Sequence, residues 1–212
     1  FSILNIADLS TDGCFTLGCA VCAMVTIAGH PILGLLAAMG AGVISGYVTA
    51  FLQTRLGVES ILAGIIVNTG LYTINLAVMG FSSQLNLFAN KTVFTMAKNA
   101  IGGNWYEFIT IIVIVLVIGF ILTWFLSTRL GLSIRATGDN EVMVRASSIN
   151  TDRMKILGLA LANALVALSG AVFAQHQSFA DLSSGIGMMV IGLASIIIGE
   201  SLINRKPLLV RL

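Results

Sequence analysis

The sequence predicts an all-α protein built as a polytopic bundle of membrane-crossing helices, and three observations carry that prediction. Hydrophobic residues fill 57% of the 212 positions and charged residues only 9%, whereas soluble domains hold roughly 45–50% apolar and about 25% charged residues. Mean hydropathy is correspondingly high, at +1.00. The apolar residues are gathered into six runs, at 13–29, 32–52, 59–80, 105–128, 155–176 and 186–203, several of which reach the length of about 20 residues that spans the hydrocarbon. Between those runs the basic residues collect on alternate connections, as cytosolic loops require. Helix is the only secondary structure that fits, because a spanning segment must satisfy its own backbone hydrogen bonds and no ten-residue alternating pattern is present.

The first run is prefaced by LNIADLSTDGCF, which places Asn5, Asp8 and Asp12 directly before a short apolar stretch. It reads as half of a broken helix, with Thr11 or Asp12 capping an N-terminus at Gly13. A polar turn at the cytoplasmic edge that simply starts a helix is the alternative. Cys14, Cys19 and Cys22 lie within this run, where no His or acid stands at ligand spacing, so they read as small buried hydrophobes; neither a metal nor a disulfide is expected. In the second run Gly34, Ala38, Gly42 and Gly46 recur every four residues and form one smooth stripe for close helix packing. A phosphate cradle needs a strand, a Lys and water, and none accompanies these glycines.

Asn68 and Asn75 interrupt the third run, and Asn163, Gln175 and His176 fall in or near the fifth. Amides in lipid hydrogen-bond across helices, at about 0.6 to 2 kcal/mol each, and the same groups can line a solute path. Glu200 stands near the inner end of the sixth run, within reach of water, Arg205 or Lys206.

Eight of the 20 charged residues fall between Arg129 and Lys155, in the connection between the fourth and fifth runs. If that connection is cytosolic, Arg55, Arg129, Arg135, Arg145, Arg153, Lys155, Arg205, Lys206 and Arg211 all lie inside, against Lys91 and Lys98 outside. The outer connections are then the His30-Pro31 turn, 81–104 and 177–185. Within 129–155, Asp139 or Asn140 can cap a short helix, Glu141 complements its dipole, and Val142, Met143, Ala146 and Ile149 offer an apolar face. That helix either lies on the membrane surface or docks into a groove on a soluble partner.

Composition excludes several classes. A net charge of +2 without a basic stripe speaks against nucleic acid. No helical H-E-x-x-H and no nucleophile–base pair is evident, so no catalytic residue, cofactor or metal is assigned. No G-x-x-x-x-G-K-[ST] occurs either, so nucleotide energy would come from a partner.

The stretches LNIADLSTDGCFTLG, LGVESILAGIIVNTGLYTINLAVMG, IRATGDNEVMVRASSINTDRMKILGLALANALVALSGAVFAQ and GIGMMVIGLASIIIGE resemble the permease subunits of bacterial ABC importers in the branched-chain amino acid and ribose permease superfamily, in particular a subgroup linked to uptake of aromatic amino acids. The resemblance spans nearly the whole chain. It implies a single transmembrane permease domain over 1–212, multi-pass in the bacterial cytoplasmic membrane, with helices missing at both ends relative to the family. It also implies a coupling element in the cytoplasmic loop 129–155, carried by Gly138, Asp139, Asn140, Glu141 and Arg145 and seated on cytosolic ATP-binding subunits. A translocation path through Asn5, Asp8, Asp12, Asn68, Asn75 and Asn163 would serve a small solute, an amino acid and, by likeness to that subgroup, an aromatic one. The implied partners are those ATPases, a second permease copy, an extracytoplasmic substrate-binding protein and membrane lipid. The competing class is an ion-coupled secondary transporter or channel in which Asp8, Asp12 or Glu200 carries the ion.

Overall fold

A computed structural model describes residues 8–88, 90–101 and 105–203. Among them run, in order, α1 (Thr11–Ile27), α2 (Pro31–Arg55), α3 (Ser60–Val78), β1 (Gln84–Asn86), α4 (Val93–Ile101), α5 (Tyr106–Ser127), α6 (Arg129–Asp139), α7 (Glu141–Ala146), α8 (Thr151–Gln177), β2 (Phe179–Asp181) and α9 (Met188–Ile203). Four helices, α2, α3, α5 and α8, are long and apolar enough to cross a membrane, while α1 and α9 are shorter apolar helices. The six apolar runs are therefore the six largest helices, and the protein is an all-α polytopic membrane protein.

The bundle is organised around α8, against which α1 lies parallel and α2 antiparallel. Small residues make this possible. The Cys14 thiol donates to the Asn163 carbonyl at 3.3 Å and the Cys19 thiol to the Gly170 carbonyl at 3.1 Å, so the cysteines act as compact core residues whose sulfur reaches backbone. The α2 stripe faces the same helix: a methyl group at Gly46 would come within 2.5 Å of the Leu159 carbonyl, and one at Gly42 would strike the Asn163 carbonyl and Ala167. Gly34 packs on Cys22. Phe15 and Phe173, with centroids 5.6 Å apart, fill the space nearer the outer end.

Pro31 occupies the first turn of α2, where its missing N–H costs nothing, and Gly29 makes the turn before it at φ +93°. The α3–α4 and α8–α9 connections meet as an antiparallel ribbon in which Gln84, Leu85 and Asn86 pair with Asp181, Ala180 and Phe179. Ala180 and Leu87 are buried from that ribbon into the cluster of Phe15, Cys19, Met79 and Ala174. By contrast, α5 packs chiefly on α4 and α6 and is otherwise bare aliphatic and aromatic surface, which is the surface a helix presents to lipid.

Two local expectations are corrected. The N-terminus of α1 is capped by neither Thr11 nor Asp12: the helix starts at Thr11 with Ser10 before it and no side-chain cap. Asp12 has a competing partner, described below. The connection 129–155 holds two helices instead of one, because Thr128 caps α6 and Asn140 caps α7, each accepting a backbone N–H three residues on. On the second of these, Val144 is the buried residue, while Val142 and Met143 are 79% and 69% exposed. Asn5, and any pairing of Glu200 with Arg205 or Lys206, lie outside the described residues.

Candidate functional site

Two polar assemblies stand out in an otherwise apolar molecule. The first surrounds the start of α1. Asn163 lies about 18 Å along α8 from Thr151 at 1.5 Å per residue, and the Asn163 amide donates to Asp8 Oδ2 at 3.0 Å. The chain preceding α1 is thereby held beside the middle of α8, so α1, with 17 residues against the 27 of α8, begins inside the bundle. Asp8 also accepts the Ser10 N–H at 2.8 Å, and Thr49 of α2 donates to the Ser10 hydroxyl at 3.3 Å. Asp8, at 6% exposure, and the fully buried Asn163 thus form a closed knot among α1, α2 and α8, where a carboxylate survives by collecting hydrogen bonds in place of water.

On the opposite side of α1 lies a cavity of about 730 Å³, lined by Asp12, Asn68, Tyr72 and Asn75 together with Ser83, Asp181 and Ser183 from the outer connections. Among the described residues no Lys, Arg or His lines it. Asn75 donates to the Gly13 carbonyl at 3.1 Å, while its own carbonyl oxygen is buried without a partner. The Asp12 carboxylate accepts the N–H groups of Gly187 and Met189 at 3.2 and 2.9 Å, and so caps α9. A free helix N-terminus in lipid has strong need of such an acceptor. At the cavity mouth Asp181 is held below the usual carboxylate range, first by the Ser183 hydroxyl and then by the Ser183 N–H, which donates at 2.7 Å.

Of the residues the sequence singles out, Asp12, Asn68 and Asn75 are brought together at the cavity, and Asp8 and Asn163 are paired outside it. Tyr72, Asp181 and Ser183 give no signal in the sequence: the Asp181 segment is polar like any outer loop, and its place beside α1 is decided by the ribbon. Gln175 is more than an outer-end amide. Its Nε2 donates to the Pro31 carbonyl at 2.8 Å and contacts Cys22 and Thr26, and its Oε1 accepts the Val93 N–H at 2.9 Å.

The second assembly is the charged connection. Glu141, at the start of α7, receives Arg145 at 2.8 Å on one oxygen and Lys155 of α8 at 2.8 Å on the other. Thr151 joins both Arg145 and Glu141, and Arg145 lies 3.6 Å from Asp152. The Lys155 hydrogen bond is the largest cause holding the Glu141 carboxyl below its ordinary range. Asp139 ends α6 and Asn140 caps α7, both exposed, with Gly138 just before them. These bonds clamp a short exposed helix to the root of α8, the central helix of the bundle.

Short apolar helices that start within the bundle beside a polar cavity are the arrangement of a solute-conducting membrane protein. The comparisons make this specific. The chain belongs to the family of permease components of branched-chain amino acid transport systems, whose sequence model matches residues 1–207. It is 36% identical to the tyrosine transport system permease protein of Clostridioides difficile over 97% of this chain and 67% of that one. An uncharacterized protein of Rickettsia prowazekii is 33% identical over 95% of this chain and 70% of its own. The ribose import permease protein of Escherichia coli K12 is 27% identical over 91% and 60%. No solved structure matches it. The protein is a multi-pass permease subunit of an ABC importer for small solutes.

Proposed function

We propose that this permease moves an amino acid, an aromatic one foremost, across the bacterial cytoplasmic membrane by alternating access. The observation that carries the proposal is the polar cavity at the start of α1, with Asp12, Asn68 and Asn75 on one wall and the aromatic ring of Tyr72 beside them. A cavity rich in hydrogen-bond acceptors and free of cations suits the ammonium group of an amino acid, and an aromatic ring offers both an apolar and a cation–π surface. The tyrosine permease relative supports the same cargo. In this reading Asp8 and Asn163 hold the broken element in place beside the path.

The loop 129–155 is the coupling element, with Gly138, Asp139, Asn140, Glu141 and Arg145 presenting α7 to a cytosolic ATP-binding subunit. The exposed Val142 and Met143 supply the apolar contact, by the helix-in-groove mode. A second copy of the permease, two ATPases and an extracytoplasmic binding protein complete the importer. The test is solute uptake by proteoliposomes holding the full-length permease with and without its ATPase, using labelled tyrosine as the probe. Uptake should require ATP and the ATPase; uptake driven by an imposed proton or sodium gradient with the permease alone would overturn the proposal in favour of a secondary transporter.

A further inference from the structure

The segment leading into α9 forms part of the wall of the polar cavity through Gly185 and Ile186, and one carboxylate holds the helix start that follows it. Both oxygens of Asp12 are engaged by backbone N–H groups of that start, Gly187 at 3.2 Å and Met189 at 2.9 Å. No ion pair reaches Asp12 among the described residues. The chain leading in is pressed so tightly on α1 that a methyl group at Gly185 would strike the Asp12 carbonyl and the Thr16 hydroxyl. Apart from this point α9 has little grip: it packs chiefly on α1, and Val190, Ile191, Ile196, Ile197 and Ile198 are exposed. Behind it, between α1, α8 and α9, lies an apolar cavity of about 370 Å³ lined by Phe15, Val166, Met188 and Leu193. Gly187, at φ +82°, supplies a hinge conformation that other residues adopt only with strain.

We propose that Asp12 is a positioning residue that latches α9 and so gates the polar cavity. Inward opening requires its carboxylate to release Gly187 and Met189, whereupon the start of α9 swings about Gly187 into the apolar cavity. A carboxylate that accepts two backbone N–H groups is suited to this task because the bonds fix the helix start in place yet can be exchanged for bonds to the water of the cavity. The proposal rests on reading the polar cavity as part of the solute path. That reading is tested separately by the uptake assay on the unaltered chain.

The latch is tested by sidedness of labelling in vesicles that carry the assembled importer. Thr69→Cys places a thiol on the exposed, cavity-lining face of α3, and the three native cysteines are buried, with their background read from the parent chain. With Asp12 present, a membrane-impermeant maleimide should reach the new thiol only from the face that carries the β1–β2 ribbon. Asp12→Ala should abolish that sidedness, so that the thiol reacts from both faces. Asp12→Asn keeps one acceptor oxygen and should give partial loss, and it decides the matter if the Ala variant fails to accumulate. Sidedness unchanged in the variants that accumulate would overturn the latch.

Discussion

Gln175 shows how much one side chain decides when the surroundings are apolar. It is 1% exposed, and its amide joins α8 to α1, to the start of α2 and to the start of α4. Gln175→Leu keeps the volume and removes the bonding, which strands the Val93 N–H. A buried donor left without a partner costs about 1–3 kcal/mol, so a clear fall in thermal midpoint of the detergent-solubilised protein is expected; an unchanged midpoint would mean that the amide is not the staple described. Glu141 makes a second residue-scale prediction. Its folded pKa is depressed, first by Lys155, so its stabilising effect on the α7–α8 junction is fully present above the ordinary glutamate pKa and is lost as pH falls through the lowered value. Hydrogen exchange of amides 141–155 should therefore stay slow on acidification until that range and then accelerate, whereas Glu141→Gln should show faster exchange already at neutral pH and no further acid step. The polar residues of both assemblies are legible in the sequence because charge is conspicuous among apolar runs. Their partners are not: Asn163 and Asp8 stand 155 positions apart and Asp12 and Met189 177 apart, and nothing local encodes such pairs.

At the scale of elements, the stripe on α2 separates glycines that packing requires from those it does not. A side chain at Gly46 would push α2 off the Leu159 and Ala160 backbone of α8, whereas a methyl at Gly40 meets nothing within 4 Å. Gly46→Val should sharply reduce accumulation or thermal stability. Gly40→Ala should leave both intact or raise stability slightly, by about 0.5–1 kcal/mol of helix preference. Equal effects at the two positions would sink the close-packing account. The period of four that marks this stripe is visible in the sequence, as are all six long helices. The short elements are not. α4 and α6 are brief and semi-polar, and β1 and β2 are three residues each; such segments take their form from what they pack on. The breaks before α6 and before α7 turn on two capping side chains, Thr128 and Asn140, of which the sequence suggests only the second.

For the whole molecule, the sidedness of charge and the short apolar helices belong to one design. The basic connection lies at the foot of α8, the ribbon joins the outer connections beyond its other end, and α1 and α9 begin between them beside Asp12. A cysteine placed at Asn140 should react with an impermeant reagent only from the cytosol, and one at Ser82, exposed beside the ribbon, only from outside. The opposite pattern would invert every assignment of path and coupling. Replacing Glu141 and Arg145 together should weaken association with the ATPase, or uncouple hydrolysis from uptake, while membrane insertion is unaffected; unchanged association and uptake would reject α7 as the coupling helix.

Class, the number of apolar helices and family are determined by the sequence alone, because hydrophobic length acts through the bilayer, a solvent that sees each segment separately. The depth at which α1 begins, the pairing of Asp8 with Asn163, and the capture of α9 by Asp12 are decided only in the tertiary structure. Once water is excluded, each buried polar group must find its partner wherever the packed helices happen to bring one.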